Sequence, residues 1–202
     1  MSEEILVNVT PRETRVAVVE NGVLQEIQIE RVARRGLVGG IFKGCVSRVM
    51  PGMDAAFIDI GLEKAAFIHA SDVNTLPHSS QSAYSEDGEV THEPIANLLH
   101  DGQQVLVQVV KDQIGTKGAR LTTNITVPSR YLVLLPYSAD VRLSARLEDE
   151  EERERLTDVM QELLDASGKK FGCILRTAAE SASKEDLRRD LDFLLRLWSS
   201  IV

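Results

Sequence analysis

The 202 residues include 43% hydrophobic side chains, enough for one large or two small cores, with only 4% aromatic and a formal net charge of −8. No run of about 18 apolar residues exists to cross a bilayer, and Met1-Ser-Glu-Glu lacks the basic and apolar parts of a secretory signal. Cys45 and Cys173, distant and without a Cys-x-x-Cys, argue against a zinc site made within this chain and fit a reducing cytoplasm, where both are expected to be partly buried thiols.

Residues 3–30 read as a three-stranded meander. Two alternating runs, Thr14-Arg-Val-Ala-Val-Val-Glu20 and Val23-Leu-Gln-Glu-Ile-Gln-Ile-Glu30, flank Asn21-Gly22, the strongest short hairpin signal, and Glu4–Thr10 precedes them. Three strands without a cover leave one face nothing to bury against, so this sheet is expected to be completed elsewhere. The glycines from Gly36 to Gly40 mark a boundary. Ile41–Met50 then reads as a long strand, turned by Pro51-Gly52 into a hairpin whose arms, Ala55–Ile60 and Ala65–His69, flank Gly61-Leu-Glu-Lys64. Residues 71–94 form a long polar excursion. A short apolar turn at Ile95–Leu99, a strand over Gln103–Lys111, a glycine-flanked loop and a strand from Arg120 come after it. Five strands with one short connector are the content of a small OB-type barrel.

Pro128 interrupts this pattern. Beyond it come a strand at Tyr131–Leu135, a helix over Asp149–Asp165 ending before Gly168, a strand at Phe171–Thr177 and a second helix capped by Ser183. That order, β, α, β, α, describes a small α/β layer. The fold class expected is therefore α+β with several subdomains. The chain stops directly after a helix, which with the uncovered meander suggests part of a longer protein.

Two constellations carry chemistry. Strand parity puts Phe57 on a face with Ala55 and Asp59, and Phe67 on a face with Ala65 and His69, opposite Ile58 and Ile68. An aspartate is rarely buried unpaired, so this face is solvated, and two rings on it form a platform on which bases stack, with Lys117 in Gly115-Thr-Lys-Gly118 free to follow phosphate. The plainer alternative makes the rings barrel core and Lys117 a solvated loop residue. The second is Arg176-Thr177 at the carboxyl end of a strand, where a guanidinium fork and a hydroxyl suit phosphate. An ion pair on the rim is the alternative.

Local charge supports a nucleic-acid surface. Arg31, Arg34, Arg35, Lys43 and Arg48 lie in a stretch without an acid, and Lys111, Lys117, Arg120, Arg130, Arg142 and Arg146 face only Asp112 and Asp140. No residue set for catalysis is found. There is no aspartate pair suited to two metals, no nucleophile elbow or Walker loop, and His69, His78, His92 and His100 lack ligand spacing.

A resemblance emerges from longer motifs: Leu6-Val-Asn-Val-Thr-Pro11, Glu13-Thr-Arg-Val-Ala17, Leu24-Gln-Glu-Ile27, Pro51-Gly-Met-Asp-Ala-Ala-Phe-Ile-Asp-Ile-Gly61, Lys64-Ala-Ala-Phe67, Gly115-Thr-Lys-Gly-Ala-Arg-Leu-Thr-Thr123, Pro128-Ser-Arg-Tyr-Leu-Val133 and Arg176-Thr-Ala-Ala-Glu180. Taken in order over essentially the whole chain, they resemble the amino-terminal part of the bacterial ribonuclease E/G family of endoribonucleases, closest to its ribonuclease G members.

The resemblance implies residues 1–36 as the first strands of an RNase H-like subdomain, 37–126 as an inserted S1 RNA-binding domain of OB fold, and 127–202 as a 5′-end sensor with the start of the return. It implies RNA contact by Phe57, Phe67 and Lys117, and 5′-monophosphate sensing by Arg176 and Thr177 with the backbone near Val133. Ser129 stands where ribonuclease E has glycine, and a side chain there would narrow the pocket. No catalytic or metal-binding residue is expected in this chain. The family's magnesium-binding aspartates and the cysteines of its inter-subunit zinc link would lie beyond Val202.

The whole protein is then expected to be a cytoplasmic, homo-oligomeric hydrolase that cuts single-stranded RNA, matures the 5′ end of 16S rRNA and turns over mRNA. This segment alone is expected to bind without cutting, with neither a membrane nor a small-molecule substrate as partner. Two other readings stand beside it: a stand-alone S1-type RNA-binding or ribosome-associated protein, and a barrel that docks protein through Phe57 and Phe67.

Overall fold

The structure, a computed structural model, describes residues 2–74, 93–168 and 170–202. Most of the polar excursion, including His78 and His92, lies outside them. Two compact units emerge, Met1–Val38 and Gly39–Val202.

The first unit is the expected antiparallel meander, strands β1 (Glu3–Val9), β2 (Glu13–Glu20) and β3 (Val23–Arg31). Asn21 and Gly22 both take positive φ, 48° and 79°, as a tight two-residue hairpin whose twist matches its strands requires. Ile5, Val7, Val9, Val23, Leu24 and Ile27 are exposed apolar side chains on β1 and β3.

In the second unit, β4 (Ile41–Met50), β5 (Ala55–Asp59), β6 (Ala66–His69), β7 (Gln104–Lys111) and β8 (Arg120–Thr122) close into a barrel in the order β4-β5-β6-β8-β7. This is a five-stranded, OB-like barrel. Its core is made by alternation: Val46, Ala56, Ile58, Ala66, Ile68, Val107, Val109 and Leu121 all point inward. A single helical turn, α1 (Ile95–Leu98), adds Ile95 at 0% exposure, and Asp54 anchors it by accepting from the Ile95 amide at 2.9 Å. Closure brings backbone against backbone at Gly118, where a Cβ would lie 1.9 Å from the Ala65 carbonyl oxygen. Only glycine permits that approach.

Gln108 ties the barrel to the segment that leaves it. Buried at 6% exposure, it donates to the Gly39 and Thr126 carbonyls at 3.0 and 2.9 Å and accepts from the Thr126 amide at 2.9 Å. The chain then forms a four-stranded sheet, ordered β11-β12-β10-β9, from β9 (Val127–Pro128), β10 (Leu132–Leu135), β11 (Val141–Leu143) and β12 (Gly172–Leu175). The helices α2 (Glu150–Ser167) and α3 (Lys184–Ile201) share its core through Leu156, Met160, Leu187, Leu191, Leu194 and Trp198. Asp149 caps α2 by accepting from the Glu151 and Glu152 amides at 3.0 and 3.3 Å, and Gly168 ends it at φ 65°. Ser183 caps α3.

Three details differ from the sequence-based expectation. Pro128, read as a break, is itself in β9, at the edge of the sheet where a missing N–H leaves no ladder bond unmade. The short β11, parallel to β12, carries no alternation long enough to be read. Cys45 is exposed, not partly buried, while Cys173 is buried and its thiol is pushed up to about 12 by desolvation.

Replacing Gly118 with Ala is expected to cost about 1–3 kcal/mol, or more, because backbone must move. Gly52→Ala, where nothing lies within 4 Å of the new carbon, is expected to be near neutral. Urea unfolding of the two variants checks the pair, and equal stabilities would contradict this account of barrel closure.

Candidate nucleic-acid interface

The barrel's outer face is built from the inner one. Ile58 and Ile68 are fully buried, so their neighbours Phe57 and Phe67 face outward, where both are half-buried. They are direct cross-strand partners, Phe57 opposite Phe67, with Ala55 opposite His69 beside them. Paired residues share a face, so the two rings form one apolar surface.

The register extends this pair into a row. Arg48 of β4 lies opposite Phe57, Arg120 of β8 opposite Phe67, and Lys111 of β7 opposite Arg120. Two bulges create that row. One, between Val46 and Arg48, lets Ser47 stand out of step, its hydroxyl donating to the Phe57 carbonyl at 3.1 Å; the other lies between Val109 and Lys111. Without them, alternation from Val46 and Val109 would turn Arg48 and Lys111 inward. The sequence shows Arg48 and Lys111 as local positive charge but does not place them beside the rings, since a bulge has no reliable local signature. Arg120 is committed to Asp72, with Nε and Nη2 at 2.9 and 2.8 Å from Oδ2. The row is two rings flanked by cations on both sides.

Lys117 is exposed in the β7–β8 loop, where Ile114 and Lys117 form an isolated bridge around Gly115 at φ 57°. Lys64 donates to the Gly115 carbonyl at 2.6 Å, tying this loop to the β5–β6 turn. The structure therefore places Lys117 at the tip of a braced loop. Among the histidines, His69 joins the outer face, with Nδ1 accepting from the Ser71 amide at 3.3 Å.

The second constellation gathers at one end of the other sheet. Arg176 directly follows β12, and Thr177 opens a short 3-10 turn to Ala179. Both are exposed. Arg176 forms no ion pair with a described carboxylate; its Nη1 donates to the Ser129 carbonyl at 2.5 Å and its amide to the Tyr131 carbonyl at 2.8 Å. Thr177 Oγ1 is 3.4 Å from Ser144 Oγ. Val133 lies opposite Ile174, two residues before Arg176 on the same face. Thus Arg176 meets the loop holding Ser129, Thr177 meets Ser144, and Val133 lies across from Ile174 on the neighbouring strand.

The Ser129 hydroxyl is engaged away from Arg176. Oγ lies 2.5 Å from Asp190 Oδ2 and 3.0 Å from the Leu132 carbonyl, so it is committed within its own loop and to α3. The guanidinium of Arg130 stacks 4.9 Å from the centre of the Tyr131 ring and adds positive charge to the same loop.

The turn after Thr177 is held by α2. Ser181, at φ 60°, donates its amide to Glu152 Oε1 at 2.8 Å, and Arg155 reaches the Ala182 carbonyl at 3.0 Å while paired with Glu152 at 2.7 Å. The Arg155 guanidinium, then the Ser181 amide, hold the Glu152 carboxyl down to about 2. Among the described residues no group of three or more His, Cys, Asp and Glu is placed to hold a metal ion, and no helix is long and apolar enough to cross a membrane.

A barrel with two outward rings among cations is joined to an α/β layer whose strand end presents an arginine engaged by no described carboxylate, an arrangement whose chemistry suits flat rings and anions. Comparison with known proteins narrows it. Residues 126–202 match the Ribonuclease E/G family. Over all 202 residues the chain is 56% identical to "Ribonuclease G" of Salmonella typhimurium, and over 199 residues 52% identical to that of Haemophilus influenzae, covering 40% of each relative. It is 42% identical over 165 residues to "Ribonuclease E" of Nostoc sp., covering 22% of it. Residues 126–202 thus carry a ribonuclease E/G family domain, and the chain as a whole is similar to the amino-terminal part of the ribonuclease G relatives. Among solved structures, the a/eIF2alpha-aDim2p-rRNA complex from Pyrococcus horikoshii OT3 covers 65% of the chain at 15% identity, and its TM-score of 0.29 is too low to carry an argument.

Glu152 makes this region sensitive to acid. Because its folded carboxyl sits below the ordinary value of 4.5, its stabilising effect is complete above that value and disappears as pH falls toward about 2. Stability measured from pH 5 to pH 2 is expected to fall less steeply in Glu152→Gln than in the wild type; identical slopes would show that this carboxylate does not hold the turn.

Proposed function

We propose that this chain is the RNA-recognising part of a single-strand-specific endoribonuclease stimulated by a 5′ monophosphate and acting in 16S rRNA 5′ maturation and mRNA turnover. The observation that carries this is the direct pairing of Phe57 and Phe67 on the solvated face of the barrel, within a row of cations. Rings in that setting stack unpaired bases and are indifferent to sequence. A duplex, whose bases are already stacked, gains nothing from them.

On this reading the barrel is an S1 domain set into an RNase H-like subdomain that begins with the meander. Lys117 follows the backbone. Arg176 grips the 5′ phosphate through its fork, Thr177 adds its hydroxyl, and the loop from Ser129 to Val133 completes the pocket. The Arg176 fork is already oriented by the Ser129 carbonyl, so little side-chain freedom is lost when phosphate arrives.

The chain spans 40% of the length of its ribonuclease G relatives. On this reading the cutting chemistry, magnesium, the inter-subunit zinc link and oligomer contacts belong to the remaining length. The role assigned to this chain is to bind and orient the RNA.

Two measurements test the proposal. Phe57→Ala and Phe67→Ala are each expected to cost about 1–3 kcal/mol in affinity for single-stranded RNA, with binding that weakens steeply as salt rises. Unchanged affinity, or binding indifferent to salt, would point to protein docking instead. Arg176→Ala is expected to equalise affinity for 5′-monophosphorylated and 5′-hydroxyl RNA; a preference that survives it removes the phosphate-sensing role.

A further inference from the structure

Asp190 stands on α3 beside Leu191 and one turn from Leu187, both buried, so its backbone is fixed by the helix packing on the sheet. A single oxygen, Oδ2, receives three contacts from one loop: the Ser129 hydroxyl at 2.5 Å and the Tyr131 and Leu132 amides, each at 3.0 Å. No cation pairs with it among the described residues. That loop is also the one that holds Arg176, through the Ser129 carbonyl on its guanidinium and the Tyr131 carbonyl on its amide. The residues that hold the arginine are the residues that the acid holds.

We propose that Asp190 is a positioning residue for the phosphate pocket, acting through the loop of residues 129–132 to fix the Arg176 fork. The inference rests on the phosphate-sensing reading above. A carboxylate near a site for an anion is adverse on charge alone, so its presence needs a geometric reason. A charged acceptor forms stronger hydrogen bonds than a neutral one, and three donors converging on one oxygen set the loop in a single arrangement. Ser129 fits this role: its hydroxyl adds the third donor, which a glycine at that position would lack.

The mechanism requires an acceptor at the place of Oδ2, not a charge. Asp190→Asn can put its amide oxygen there and keep the backbone donors satisfied. Asp190→Ala cannot. The test is equilibrium binding of short single-stranded RNA with a 5′ monophosphate or a 5′ hydroxyl, with thermal unfolding recorded alongside. Wild type is expected to prefer the monophosphate. Asp190→Ala is expected to lose about tenfold or more of that preference, as misplacement by about 1 Å can cost, with 5′-hydroxyl affinity unchanged. Asp190→Asn is expected to stay close to wild type. Combined with Arg176→Ala, Asp190→Ala is expected to add no further loss, because both act through one fork.

A preference retained in Asp190→Ala overturns the proposal, as does an Asp190→Asn that falls as far as Asp190→Ala. If Asp190→Ala does not fold, Asp190→Glu, which keeps the charge but displaces the oxygen, takes its place with the same loss expected. A wild-type chain without any preference overturns the phosphate-sensing reading itself, and is told apart because it appears before any substitution.

Discussion

Burial of Ile58 and Ile68 inside the barrel is the constraint that sets the proposed nucleic-acid surface. Each is fully enclosed, and enclosing an isoleucine stabilises by about 1.5–3 kcal/mol. A one-residue slip in β5 or β6 would expose these side chains and bury their neighbours, whereas a cross-strand aromatic pair contributes only about 0.2–1 kcal/mol. The core thus decides the register, and the register leaves Phe57 and Phe67 outside. The rings need no stabilising role of their own in order to be held in place, which leaves them available to a ligand.

The same logic operates at the other site. The α/β layer buries Leu132, Leu134, Cys173 and Leu175 against two capped helices. Its strand end then presents Arg176 beside a loop and a turn, each tied to a helix by a carboxylate: Asp190 of α3 holds the loop and Glu152 of α2 holds the turn. Two acids are therefore engaged by backbone amides next to a proposed anion site. Near the paired rings, Asp72 is likewise engaged, by Arg120.

Much of this was legible in the sequence. The alternation of β5 and β6, Asn21-Gly22, the apolar stripes of α2 and α3 and the caps Asp149 and Ser183 each express a local rule strong enough to read alone. Arg176 of one motif also contacts the Ser129–Tyr131 segment of another. What stayed hidden depends on partners distant in sequence. The bulges that turn Arg48 and Lys111 outward exist only once β4, β5, β7 and β8 are paired. β11 is too short to show a period. Asp190 reads as one more charge on a helix, since the loop residues it contacts lie 61, 59 and 58 positions earlier in the chain.

The claim that everything else serves is that one RNA strand is held at two places on the Gly39–Val202 unit, the paired rings and the arginine at the strand end. Backbone amide shifts recorded while a short 5′-monophosphorylated single strand is titrated in would map both at once. The account predicts that the largest changes cluster around Phe57, Phe67 and Lys117 and, separately, around Val133, Arg176 and Thr177. Changes confined to other surfaces, with these two clusters unmoved, would contradict it.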